Sequence, residues 1–162
     1  KLRPGEEHSD GVTIALEPFE LGGNRYLPVP DEVVAQLVVQ RAVSGDVYRL
    51  SFSTRLHGPC VRCLEDAVVD LEIDAREYQD AKPERDEELI AEYVVDDHLE
   101  LSAWARDAIA LALPDQIVCR ADCAGLCPEC GGNLNQEPHT HEAPPADSRW
   151  SALESLRGEL GG

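Results

Sequence analysis

From Tyr48 to His57 the chain alternates: Tyr48, Leu50, Phe52, Thr54 and Leu56 fall on one parity, and Arg49, Ser51, Ser53, Arg55 and His57 on the other. A period of two belongs to a strand with one face on a core. The pattern returns in Val69, Leu71, Ile73 and Ala75, set against Asp70, Glu72, Asp74 and Arg76. Together the two runs predict an antiparallel hairpin whose connection, Gly58-Pro59-Cys60-Val61-Arg62-Cys63, carries two thiols at its tip. The period then lengthens. Leu101, Trp104, Ala105, Ala108, Ile109 and Ala112 form one apolar stripe at helical spacing, predicting a helix over 101–113 that Ser102 or Asp97 caps and Pro114 stops.

Elsewhere the pattern is weaker. Residues 1–32 are punctuated by Pro4, Gly5, Pro18, Gly22, Gly23, Pro28 and Pro30, and read as a loosely built opening segment with a strand at Gly11 to Leu16. Val33 to Val43 is a short β-branched apolar stretch closed by the turn signal Ser44-Gly45-Asp46. Gln79 to Glu100 is dominated by acidic residues around an apolar island at Ile90 to Val95, read as an edge strand. Trp150, Leu153 and Leu156 recur at spacing three and predict a short terminal helix. The fold class expected is α+β: an antiparallel β-sheet with a covering helix, then a C-terminal cysteine-rich zinc-binding segment. A core domain over 1–118 and a metal-binding segment over 119–162 follow from that division.

Thirty-two acidic residues against fourteen basic ones give a formal charge of −18. Such a surface repels phosphate backbones at long range and suits a basic partner. No run reaches the roughly 18 apolar residues of a membrane span, and the N-terminus lacks a basic-then-apolar signal pattern. A cytoplasmic protein without membrane contact is expected.

Cysteine supplies the candidate chemistry. Cys127-Pro128-Glu129-Cys130-Gly131-Gly132 has the form of a zinc knuckle, in which two thiolates hold one ion and the glycines admit positive backbone angles. Tetrahedral Zn2+ needs two more ligands. Cys119 and Cys123 would complete a compact four-thiolate site, whereas Cys60 and Cys63 would staple the hairpin tip to the C-terminal segment. If the compact site forms, Cys60 and Cys63 would turn to His139 and His141 in a two-metal arrangement. Spacing leaves these groupings open. Disulfides fit poorly with reduced cytosolic thiols, and the cysteine spacing is not that of a bacterial ferredoxin cluster. A thiolate-saturated ion has no open position for a reacting water, so a non-enzymatic protein is expected.

The order of the motifs resembles one family. Gly58-Pro59-Cys60-Val61-Arg62-Cys63-Leu64-Glu65, then Leu111-Ala112-Leu113-Pro114, then Gly125-Leu126-Cys127-Pro128-Glu129-Cys130-Gly131-Gly132-Asn133-Leu134-Asn135, and finally Asp147-Ser148-Arg149-Trp150 with Leu153, are similar to elements of the YceD-like family, named for large ribosomal RNA subunit accumulation. The resemblance covers about residues 45 to 157. It implies a non-enzymatic role in making or stabilising the large ribosomal subunit and its 23S-type rRNA. With this acidity, the expected partner is a large-subunit ribosomal protein or assembly factor, with rRNA reached indirectly or through a small basic surface near Arg55, Arg62 and Arg120. Arg62, inside the C-x-R-C element, is the candidate partner-binding residue. A metal-stapled acidic interaction module unrelated to ribosomes is the alternative.

Overall fold

The computed structural model describes residues 2–81, 91–96 and 98–142. It forms two compact units, Lys1–Gly125 and Leu126–Gly162. The expected terminal helix, and residues 82–90 and Asp97 of the acidic stretch, lie outside the described residues.

The first unit is built on a six-stranded antiparallel sheet. Its strands are β1 (Glu7–Ala15), β2 (Phe19–Leu21), β3 (Asn24–Pro28), β4 (Glu32–Arg41), β5 (Gly45–Pro59) and β6 (Asp66–Asp80). β5 and β6 are the predicted hairpin, longer than the alternation alone marked, and pair along their whole length from Gly45↔Asp80 to Pro59↔Asp66. β5 is shared on its other edge. Its first half pairs with β4, from Asp46↔Arg41 to Ser51↔Gln36, and Leu56 and His57 pair with β3. Period-two burial follows as expected, with Leu50, Phe52, Thr54 and Leu56 buried and Arg49, Ser53 and Arg55 exposed. The solvent face is stitched by cross-strand pairs, Arg49 to Asp74 and Arg55 to Asp70, each at 2.6 Å.

The opening segment is not loose. Three strands occupy it, and β1 pairs with β4 from Glu7↔Gln40 to Ala15↔Glu32. Pro18 and Pro30 sit in short connections, and Gly22 and Gly23 take positive φ in the turn between β2 and β3. Of the apolar island, the described part makes a two-residue strand, β7 (Val94–Val95), which pairs with β8 (His98–Leu99) in a separate two-stranded ladder.

Helix α1 (Leu101–Ala112) appears where the stripe predicts it and buries Trp104, Ala105, Ala108 and Ile109. It packs on β6 and β1. Glu100 occupies the N-cap without a side-chain capping bond, so Ser102 lies inside the helix and does not cap it. Leu113 leaves the helix in an extended conformation, as a residue before proline must. The few aromatics are concentrated in this core: Trp104, Tyr26, Phe19 and Phe52 are all buried. Among the described residues no helix is long and apolar enough to cross a membrane.

Candidate metal centre

The far end of the hairpin is fixed from below. Tyr26 of β3 is fully buried, and its hydroxyl donates to the Pro59 carbonyl at 2.9 Å, one residue before the first tip thiol. The ring lies so close to Gly58 that a Cβ there would come within 2.2 Å of it. Only glycine lets β5 pass over this ring.

Beyond Pro59 the chain makes a tight knuckle. The Leu64 amide donates to the Cys60 carbonyl (2.9 Å), the Cys60 amide donates to the Glu65 carbonyl (2.7 Å), and Leu64 is held at φ +64°. The same scheme recurs in the second unit. There Gly131 N–H donates to Cys127 (2.8 Å), Cys127 N–H donates to Gly132 (2.8 Å), and Gly131 has φ +73°. The sequence marks the second knuckle by its glycines and hides the first behind a leucine.

Each knuckle has its own pair of companions. Cys60, Cys63, Cys119 and Cys123 form one group, and Cys127, Cys130, His139 and His141 the other, with the ligand atoms of each within 4.8 Å of one another. Neither the compact 119–130 site nor the staple of Cys60 and Cys63 to Cys127 and Cys130 is formed. The two histidines stand beside the second knuckle and not beside the hairpin tip. All six cysteines are free thiols, so the disulfide alternative is not realised.

In the first group Cys60 Sγ lies 3.8 Å from Cys123 Sγ, and Cys63 Sγ 3.6 Å from Cys119 Sγ. Sulfurs placed tetrahedrally about 2.3 Å from a zinc ion are separated by about 3.8 Å, so the spacing fits the ion. Cys60, Cys63 and Cys123 are buried. The Arg62 amide approaches Cys60 Sγ at 3.4 Å. Burial acts to raise the Cys60 thiol, but backbone amides of Cys119, Cys63 and Arg62 overcome it and bring the thiol down to about 6. Desolvation of the Cys119 sulfur, joined by the Cys63, Cys123 and Cys60 sulfurs, pushes Cys119 up to about 12. Four thiols that cannot all ionise together are what a dication resolves, since its charge offsets their mutual repulsion.

The segment after α1 is brought to the tip by contacts that the sequence did not announce. The Val61 amide donates to the carbonyl of buried Ile117 (3.0 Å). Arg62 spreads its guanidinium over the same segment, with Nε and one terminal nitrogen on Gln116 Oε1 (3.1 and 3.0 Å) and the other on the Cys123 carbonyl (3.2 Å). Gly125, at φ +79°, passes close to the Arg62 carbonyl, which a Cβ would meet at 3.2 Å. Arg62 is thus exposed yet committed to the wall of the thiol group. Arg55 and Arg120, the other cations of the expected basic surface, stand against Asp70 (2.6 Å) and Asp122 (3.3 Å).

In the second group Cys130 Sγ lies 3.1 Å from His139 Nε2, while His139 Nδ1 faces the Glu137 carbonyl at 2.7 Å. A proton on Nδ1 donating to that carbonyl leaves Nε2 as the coordinating nitrogen. The Glu137 carbonyl, then the Cys130 and Cys127 sulfurs, raise the His139 imidazole to about 9. Backbone amides of Cys130 and Glu129 lower Cys127 to about 6 against the effect of burial. His141 Nδ1 lies 3.7 Å from a Glu129 carboxylate oxygen.

Among the described residues, an antiparallel sheet with one helix and two Cys/His clusters that could hold a metal define a small β-rich protein. More specifically, a family model described as large ribosomal RNA subunit accumulation protein YceD matches residues 48–157, and the chain belongs to that family. Among curated proteins it is similar to uncharacterized proteins of Mycobacterium tuberculosis and Mycobacterium bovis, 41% identical over 106 residues, which is 62% of this chain and 50% of theirs. One from Mycobacterium leprae is 33% identical over 103 residues, 60% of this chain and 46% of its own. The chain therefore spans about half the length of the curated relatives it matches. No solved structure matches it.

Proposed function

We propose that this protein is a non-enzymatic, cytoplasmic factor for the accumulation or assembly of the large ribosomal subunit and its 23S-type rRNA, with Zn2+ held by Cys60, Cys63, Cys119 and Cys123. Family membership carries the ribosomal part of this reading, because the match runs through both knuckles and the helix between them. Four sulfurs within 4.8 Å of one another, two pairs of them at 3.8 and 3.6 Å, carry the metal part. The ion ties the hairpin tip to the segment following α1, so its work is architectural.

The partner in this reading is a basic large-subunit ribosomal protein or assembly factor. A charge of −18 opposes direct contact with an RNA backbone, and the cations that could form a local RNA-facing patch are engaged by Asp70, Gln116, the Cys123 carbonyl and Asp122. Arg62 contributes to the partner surface through the knuckle it shapes.

Depletion of the protein followed by gradient sedimentation tests the proposal. The expected result is a deficit of large subunits and 23S-type rRNA, with tagged protein recovering large-subunit proteins or precursors. Normal subunit ratios and a tagged protein free of such components would favour an acidic interaction module unrelated to ribosomes.

A further inference from the structure

We propose that Cys127, Cys130, His139 and His141 form a second zinc site, loaded separately from the four-thiol group and exchanged more readily, on which the order of residues 126–142 depends. The inference extends the metal reading above from one ion to two of unequal lability. The site itself rests on features of the second unit, and the difference in lability on a comparison of the two groups.

The first is how little apolar burial this stretch has. From Leu126 to Glu142 Cys127 is the one buried residue, so this stretch has no hydrophobic core to hold its turns. Segments this short fold in water when a metal or a covalent link replaces the core. Yet its backbone is specifically arranged, with the knuckle closed by two hydrogen bonds, a bridge between Leu126 and Asn133, and Glu137 N–H returning to the Asn133 carbonyl at 3.0 Å.

The second is that the site is cleared for its histidine. Gly132 does not have a positive φ, so no backbone strain requires glycine there. A Cβ at that position would instead meet His139 Cε1 at 3.2 Å and Cys130 Sγ at 3.4 Å. The missing side chain makes room for an imidazole against a thiol. The two rings meet edge to face, with centroids 5.0 Å apart. Cys130 Sγ to His139 Nε2, at 3.1 Å, is close to the about 3.5 Å edge of a tetrahedron with sulfur and nitrogen ligands on zinc.

The donor set gives the difference in lability. Three of its four ligands are exposed, whereas three of the four thiols in the first group are buried and two of them follow a fifteen-residue strand. The bound state has two thiolates and two neutral imidazoles, and any protons these four groups carry beforehand are released to solvent. Nothing is oxidised or reduced. Zinc limitation would empty this site first and leave the sheet intact.

The test uses the full chain, loaded with excess zinc, desalted, analysed for metal and then mixed with a colorimetric chelator. Two equivalents and two release phases are expected. His139→Ala should hold one equivalent and lose only the fast phase, with the thermal transition of the sheet unchanged. Cys60→Ser should lose the slow phase. Because removing a buried thiol can unfold the first unit, Co2+ substitution gives a separate readout: the ion lost in His139→Ala should carry the sulfur-to-cobalt absorption of two thiolates, half that of the ion retained. A wild-type chain with one equivalent that His139→Ala keeps would overturn the second site while leaving the first standing. Two ions released at one common rate would overturn the difference in lability. A chain that takes up no zinc would end both readings.

Discussion

Leu64 shows how a single residue can conceal a motif. It holds the backbone position that Gly131 holds in the other knuckle, at φ +64° against +73°, and its side chain is 60% exposed. A left-handed conformation costs a non-glycine residue about 1–2 kcal/mol, part of which glycine returns through its greater freedom in the unfolded chain. Leu64→Gly should therefore raise stability by up to about 1 kcal/mol in denaturant unfolding of the metal-loaded protein. A loss of stability would mean that the leucine packs in a way its exposure does not indicate. Arg62 beside it stands out in the sequence through the C-x-R-C element, but its contacts do not. Its guanidinium reaches Gln116 and the Cys123 carbonyl, partners more than fifty residues away that no local spacing reveals. Both Arg62→Glu and Gln116→Ala should speed metal loss from the first group in a chelator assay. If Arg62 also meets the ribosomal partner, only Arg62→Glu should reduce recovery of large-subunit components beyond what its metal loss explains.

At the scale of elements, legibility followed length and periodicity. β5, β6 and α1 could be read because each presents a full period to one core, and the β-branched run from Val33 foretold β4. β2 and β3 could not, since three and five residues between prolines and paired glycines carry no period. They matter all the same, because β3 supplies the Tyr26 that supports the hairpin tip. Gly58→Ala tests that support. Its new methyl would stand 2.2 Å from the Tyr26 ring, so either the ring or β5 must move, and overpacking of this kind costs about 1–3 kcal/mol. The urea midpoint should fall. Cys60 lies two residues on, so the affinity of the first group for zinc should fall with it. A variant as stable as the wild type would show that the end of β5 can shift without cost.

At the scale of the whole molecule, the candidate ligands were legible in the sequence but their grouping was not. Cys119 and Cys123 are near Cys127 in sequence, yet the chain carries them to Cys60 and Cys63 because Val61 bonds to Ile117 and Arg62 to Gln116, long-range contacts that spacing cannot express. Cys60→Ser and Cys119→Ser should therefore remove the same ion in metal analysis, although fifty-nine positions separate them. Retention of that ion in either variant would undo the grouping.

The net charge is a property of the whole chain and calls for a test of the same kind. At −18 the protein attracts a basic partner at distances well beyond contact, and added salt shortens that reach to a Debye length of about 8 Å at physiological ionic strength and about 3 Å at 1 M. Long-range attraction acts mainly on the rate of encounter, whereas contacts at the interface set the rate of escape. Association with isolated large-subunit precursors should accordingly slow by about tenfold or more from low to high salt, with a much smaller change in dissociation. The ion pairs on the β5–β6 face do not offset this. Arg49 and Arg55 each meet one aspartate, leaving the excess acidity unneutralised. Kinetic binding measurements across a salt series separate the outcomes. An association rate independent of salt would leave the acidic surface as a device for solubility, and an association that speeds up with salt would point to a partner surface dominated by RNA phosphate.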